Sequence, residues 1–181
     1  MLAEIATQTG YDEIADVYDT LFCDAASLQE NVDVFVRIGD VTGKSVLDVG
    51  CGTGLFLDYA TPLAYVGIDP SRGMLRRFRE RHPEYAENVE QATVMSYAGD
   101  KVGAHFDLVA ALFGVGSYLT EEELRLLPLL GERVFAMFYR PGYVPETYRR
   151  TGVFVTNRFS DPLAVFERAE AWGNFLVVDT R

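Results

Sequence analysis

Only two of the 181 residues are cysteine, two are histidine and one is tryptophan. That scarcity excludes a disulfide framework. It also leaves a zinc site short of ligands, because Cys23, Cys51, His82 and His105 share none of the usual paired spacings. No metal is expected. Basic residues are outnumbered, 16 Lys and Arg against 27 Asp and Glu, for a formal net charge of −11. A nucleic-acid backbone needs a basic surface, so no nucleic-acid partner is expected, and the arginines between Arg72 and Arg81 read as a solvated helix face. Any apolar run of the roughly 18 to 20 residues that cross a bilayer is also missing, and with it a membrane partner. Met1 to Gly10 has neither a basic start nor a long apolar core, so no signal peptide is expected and a cytoplasmic location is the default. Repeats, low-complexity tracts and Gly-, Pro- or Ser-rich linkers are lacking, which suits one domain, monomeric or homodimeric.

What is present is a strong strand-and-turn signal. Val46-Leu47-Asp48-Val49 is an apolar strand that runs into Gly50-Cys51-Gly52-Thr53-Gly54, and Leu55 to Tyr59 then opens a helix. Tyr65 to Asp69 reads as a second strand with an acid at its end. Pro70 and Ser71 start a helix that turns Met74, Leu75 and Phe78 inward. Val89 to Val94, Phe106 to Phe113 and Arg133 to Tyr139 are the next strands, and Thr120 with Glu123 caps a helix that Pro128 closes. Upstream, Tyr11, Ile14, Ala15, Tyr18, Leu21 and Phe22 predict one amphipathic helix. A Ser27–Glu30 capping box predicts a second, ending near Gly39 and burying Leu28, Val32, Phe35 and Val36. Downstream, Val153 to Thr156, Leu163 to Trp172 and Phe175 to Val178 are candidate strands; Gly173-Asn174 suits a hairpin turn, and Leu163 to Glu170 suits a helix equally. The fold class is α/β: a Rossmann-like open sheet, mostly parallel with an antiparallel C-terminal strand and helices on both faces.

In such sheets ligands lie beyond the strand C-termini, where strand order reverses. Asp69, 19 residues after Gly50, is an acceptor for two ribose hydroxyls, so the ligand carries a nucleoside. A dinucleotide site would place its third glycine at position 55, which is Leu55; here the third glycine is Gly54. Asp48 would repel a pyrophosphate yet suits the ammonium of an amino-acid tail. S-adenosylmethionine is a nucleoside with that tail and no phosphate.

With these residues the chain resembles the class I S-adenosylmethionine-dependent methyltransferases of small-molecule type. Residues 46–54 look like the family's first motif, Gly67 to Ser71 with Met74 and Leu75 like its second, Phe106 to Val109 like its fourth strand, and Tyr11 to Asp19 like its cofactor-covering helix. The resemblance implies that Gly50 and Gly52 pass beneath the methionine tail, that Asp69 holds the ribose hydroxyls and that Met74 packs near the adenine, with Asp48, Cys51, Gly54, Pro70, Thr93 and Val94 also binding the cofactor. It further implies that Tyr11 and Tyr18 close the pocket, that Leu112, Phe113 and Gly114 line its wall, and that Ser117, Tyr118 and Tyr143 face the acceptor. An acid just after the third strand, frequent in the family, is missing among Gln91 to Val94. The chain then divides into cover helices at 1–42, a cofactor-binding core at 43–139, and C-terminal strands with an acceptor-side loop at 140–181.

The implied activity is methyl transfer to a small-molecule acceptor through an O, N or C nucleophile. A non-catalytic, regulatory S-adenosylmethionine-binding protein is the alternative, motivated by the short C-terminal region, and a nicotinamide-dependent oxidoreductase is a weaker one. No catalytic residue is assigned. Tyr118, His105 and Asp19 are the candidate bases if one is needed, His105 least because it precedes the fourth strand at the far edge. Cys51 reads as a backbone donor, and Phe166, Trp172 and Phe175 as core. Tyr139, Tyr143 and Tyr148 flank the pocket mouth or simply pack their loop.

Overall fold

The computed structural model describes residues 10–101, 103–152 and 160–181. In chain order the elements are α1 (Gly10–Ile14), α2 (Ala25–Ile38), β1 (Ser45–Val49), α3 (Leu55–Tyr59), β2 (Ala64–Asp69), α4 (Arg72–Arg81), β3 (Val89–Gln91), α5 (Val94–Asp100), β4 (Phe106–Ala111), α6 (Glu121–Leu130), β5 (Gly131–Tyr139), α7 (Glu146–Thr151), β6 (Glu170–Trp172) and β7 (Phe175–Asp179). The sheet has seven strands in the order β3-β2-β1-β4-β5-β7-β6. Strands β1 to β5 pair in parallel, and β7 runs against both of its neighbours, so the expected antiparallel C-terminal strand is there. Gly173 and Asn174 turn the β6–β7 hairpin.

Side chains alternate along the strands, so successive residues enter different cores. Val46, Leu108, Phe135 and Met137 pack with α2, α3 and α4 through Val34, Ile38, Phe56, Leu75 and Phe78. Leu47, Val109, Val134 and Phe138 pack on the other face with α5 and α6 through Val94, Tyr97, Leu124 and Leu127. Burial on both faces is what gives these strands their nearly continuous apolar reading.

Several boundaries differ from the sequence expectation. The first helix is two pieces, α1 and a 3₁₀ turn at Tyr18–Phe22. Val17 N–H bonds to Ile14 O and Thr20 N–H to Val17 O, three-residue spacings that break the α ladder. Helix α2 starts at an Asp24 cap, whose carboxylate accepts from Ser27 N–H at 3.1 Å, so Ser27–Glu30 is not its box. Its buried row is Asn31, Val34 and Ile38, while Leu28, Val32 and Val36 stay exposed. Of the expected row only Phe35 packs inward, against Phe56 and Tyr59; the rest of the pattern pointed to the wrong stripe because polar Asn31 occupies the inner face, where its Nδ2 donates to the Tyr59 hydroxyl at 3.4 Å. Strand β3 stops at Gln91, since Thr93 and Ser96 form a reciprocal cap that starts α5, a helix the sequence reading missed. Pro128 lies inside α6, which ends two residues later, and the Thr120–Glu123 box caps that helix as expected. Leu163 to Glu170 is not a helix: a 3₁₀ turn at Pro162–Ala164 comes first, and Glu170 already begins β6. Val153 to Thr156 lies outside the described residues.

Candidate active site

The order of strands reverses between β1 and β4, and there, at the strand C-termini, a cavity of about 240 Å³ opens. Its floor is two buried carboxylates. Asp69, at the end of β2, accepts from Gly52 N–H through Oδ2 at 3.0 Å and from Ser71 N–H through Oδ1 at 2.8 Å. Burial lifts its carboxyl to about 6 against the relief of those two N–H groups, and Asp12 adds to the rise. Asp48, at the end of β1, takes a hydrogen bond of 2.8 Å from the Tyr65 hydroxyl, and burial pushes it up to about 7. Lysine and arginine are absent among the groups that set either value. The cavity floor therefore favours a ligand bearing positive charge.

The roof is Tyr11 and Tyr18, edge to face with centroids 6.0 Å apart; the Tyr11 hydroxyl donates to that of Tyr118 at 3.3 Å. Polar groups fasten it. Asp12 Oδ1 accepts from Ser71 Oγ at 2.8 Å and from Gly73 N–H at 2.7 Å. Asp16 pairs with Arg76 at 2.5 Å, and Asp19 accepts from Thr53 Oγ1 at 2.6 Å and pairs with Arg81 at 3.2 Å. Two of the arginines read as a solvated face thus pair with carboxylates of the cover.

Of the implied cofactor residues, Tyr11, Tyr18, Asp48, Gly50, Cys51, Gly52, Asp69, Pro70, Met74, Thr93, Val94, Leu112 and Phe113 line this cavity. Gly54 and Gly114 do not. Gly54, at φ +95, caps α3, and a Cβ on it would stand 2.4 Å from the His82 ring. Gly114, at φ +87, starts the 3₁₀ turn Val115–Tyr118, and its Cβ would meet the Tyr139 ring at 2.2 Å. Each is glycine for the turn and for a packed ring. Cys51 is buried, and burial raises its thiol well above the ordinary range, so it is no nucleophile. Ala92 and Glu123 also line the wall. The capping-box spacing that identified Glu123 gave no sign that α6 sets it against α5, with Oε1 3.5 Å from Met95 N–H.

A second cavity of about 690 Å³ lies alongside, and Tyr18, Thr53, Leu55 and Phe113 line both. Phe113 has φ +49, the left-handed region where a side chain is strained; its carbonyl accepts from the Tyr139 hydroxyl at 3.1 Å. Tyr143 lines this second space. Tyr118 lines the first instead. Ser117 lines neither, because it is buried with its Oγ accepting from Tyr139 N–H at 2.7 Å, which pins the 3₁₀ turn to β5. Asp19, Tyr139 and Phe175 also line the second cavity, whereas Phe166 packs in the core and Trp172 lies under Arg37. His105 is exposed just ahead of β4, at the opposite sheet edge.

Residues 47–127 match the family model described as a methyltransferase domain. Over those residues the chain is similar to a methyltransferase domain. Its curated relatives include a dTDP-3-amino-3,4,6-trideoxy-alpha-D-glucopyranose N,N-dimethyltransferase of Streptomyces venezuelae, 32% identical over 61% of this chain and 47% of the relative. Another is a demethylmenaquinone methyltransferase of Renibacterium salmoninarum, 31% identical over 75% of this chain and 60% of the relative. This chain thus spans about half to three-fifths of the length of the curated relatives it matches. The CcbJ methyltransferase of Streptomyces caelestis shares the fold, with a TM-score of 0.57 and 21% identity over 75% of this chain and 59% of that one. Among the described residues no helix is long and apolar enough to cross a membrane, and no group of His, Cys, Asp or Glu is placed to hold a metal ion.

Proposed function

We propose that this protein transfers a methyl group from S-adenosylmethionine to a small-molecule acceptor. The observation that carries the reading is the pair of buried carboxylates, Asp48 and Asp69, at the floor of a tyrosine-roofed cavity that shares a wall with a second one. Asp48 suits the ammonium of the methionine tail, and Asp69 keeps free lone pairs for ribose hydroxyls after accepting its two N–H bonds. Met74, Ala92 and Val94 offer apolar surface to an adenine. Glu123, on the same wall, provides an acceptor for the adenine amino group in place of the missing acid after β3.

When bound, the sulfonium supplies an electrophilic methyl together with its own leaving group. The chain has to align the acceptor and keep water out, and alignment alone is worth roughly 7 to 11 kcal/mol. Tyr11 and Tyr18 exclude water from above, and Phe113 and Leu55 stand between the two spaces. Two relatives whose names specify small-molecule methyl acceptors support this class of substrate. The non-catalytic reading rested on the short C-terminal region; against it stands the second cavity, which Tyr143, Glu146, Thr147 and Arg150 of that region help to line.

Calorimetry with S-adenosylmethionine, S-adenosylhomocysteine and NAD tests the cofactor. Tight binding of the first two and none of NAD is expected, and failure of both adenosyl ligands to bind overturns the proposal. Transfer of labelled methyl to acceptors drawn from an amine, alcohol and quinol panel tests catalysis.

A further inference from the structure

We infer that the second cavity takes an organic cation, an acceptor whose ammonium group sits on Glu30 while its apolar body lies against aromatic rings. The inference rests on the reading that the first cavity holds S-adenosylmethionine. The location follows from the shared wall, since an acceptor has to reach the methyl group across Tyr18, Thr53, Leu55 and Phe113.

The charge follows from the pairing around that space. Arg81 bridges Asp19 and Asp58, and Arg150 bridges Asp24 and Glu146. Two guanidiniums thus answer four carboxylates, and the lining carries more negative than positive charge. The fifth lining carboxylate, Glu30 of α2, has no cationic partner among the described residues. Partial burial pushes its carboxyl upward, and the neighbouring Asp24 and Asp33 add to the rise. It is also close enough to Tyr143 to disfavour ionisation of that phenol. A carboxylate that is half-buried and faces only like charges gains most from a cation that brings its own hydrogens. An anionic acceptor would meet this lining with repulsion, and a neutral alcohol would leave Glu30 without its counter-charge.

The shape follows from the rings. Tyr139 is stacked between Tyr143, at 5.3 Å, and Phe175, at 5.6 Å, and this flat bank lines one side. Arg149 already covers a face of Tyr143 and pairs with Glu146, so the bank offers packing surface, and Glu30 is left to hold the charge.

The test is a titration of the full chain, followed by NMR and calorimetry, with three probes of one shape: 2-phenylethylamine, 2-phenylethanol and phenylacetate. It is run with and without S-adenosylhomocysteine. The amine should bind about tenfold or more tighter than the alcohol, with phenylacetate weakest. Glu30→Gln should bring amine and alcohol to near equality while the melting temperature and S-adenosylhomocysteine affinity stay unchanged, which a purely structural role would not give. Tyr143→Leu should weaken all three probes alike and keep the amine preference. Equal binding of amine and alcohol, an unchanged preference in Glu30→Gln, or indifference of every probe to Tyr143→Leu overturns the inference. If S-adenosylhomocysteine does not bind but the amine preference and its loss in Glu30→Gln are seen, the methyltransferase proposal falls and the cation site stands.

Discussion

The two cavities are neighbours with opposite construction. The floor of the first is built around backbone turns: a glycine turn after β1, a second turn after β2, and the Asp69 carboxylate tying Gly52 N–H to Ser71 N–H. Its polar floor comes from residues within about two dozen positions of one another. The second is made of side chains from α2, α3, the end of α4 and the segment after β5, joined by contacts such as Arg150 to Asp24, which are 126 residues apart. Chemistry that one short run of backbone can perform is concentrated in a motif, whereas a surface that recognises one particular molecule is assembled from distant parts.

The sharpest way to break this contrast is to damage the backbone cavity and ask whether the other survives. In Gly50→Val the new Cβ would stand 2.7 Å from Val115 Cγ2 on a backbone at φ +68. Stability should fall by about 2 to 5 kcal/mol from strain and overpacking. S-adenosylhomocysteine binding should vanish in calorimetry, while 2-phenylethylamine still binds below the melting transition. Asp69→Ala comes next. It should weaken S-adenosylhomocysteine by about 2 to 4 kcal/mol, through lost charge-assisted bonds to the ribose. Unchanged affinity in a calorimetric titration would leave Asp69 only its role of joining the two turns.

A third test uses pH. The Asp48 and Asp69 carboxyls are raised from an ordinary 3.8 to about 7 and about 6, so the folded ligand-free protein keeps protons that the unfolded chain releases. Stability from this source is complete below about pH 4 and is lost as pH rises through 6 and 7, ~1.4 kcal/mol for each pH unit by which a carboxyl is raised. Asp16, Asp24 and Asp179 are held low by their arginine and N–H partners and act the other way, costing stability only as pH falls below about 4. Urea midpoints of the ligand-free protein should therefore decline from pH 5 to pH 8, and a bound ammonium should flatten that decline. The smallest effect belongs to the exposed Asp16–Arg76 pair. Arg76→Ala should leave the melting temperature where it is, and a clear drop would show that the cover depends on its surface charges more than on Asp12.

The same contrast explains what could be read from the sequence. The strand at 45–49, the turn after it, the acid at 69 and the cap at Thr120 are local signals, each set by residues a few positions apart, and the structure has them where the pattern put them. Helix α5 was hidden because its cap, Thr93 with Ser96, follows directly on a β-like run. The buried face of α2 was hidden because an inward asparagine finds its partner 28 residues away. Glu30 was legible only as half of a capping box that does not form, since Asp24 is the cap, and Arg150 carried no motif at all. Ser117 sits beside the site in sequence, yet the register of β5 gives its hydroxyl to Tyr139.

Phe113 shows what the partition costs. It is the one described residue other than glycine with a positive φ, and it is held there with its carbonyl on the Tyr139 hydroxyl and its N–H on Met137 Sδ. A glycine at that position would relieve the strain and remove the ring that separates the two cavities. Under the proposed methyl transfer, thermal tolerance and catalytic order would be set against each other at a single peptide unit, and a variant selected only for heat resistance should drift toward a site that admits water to the transferred methyl group.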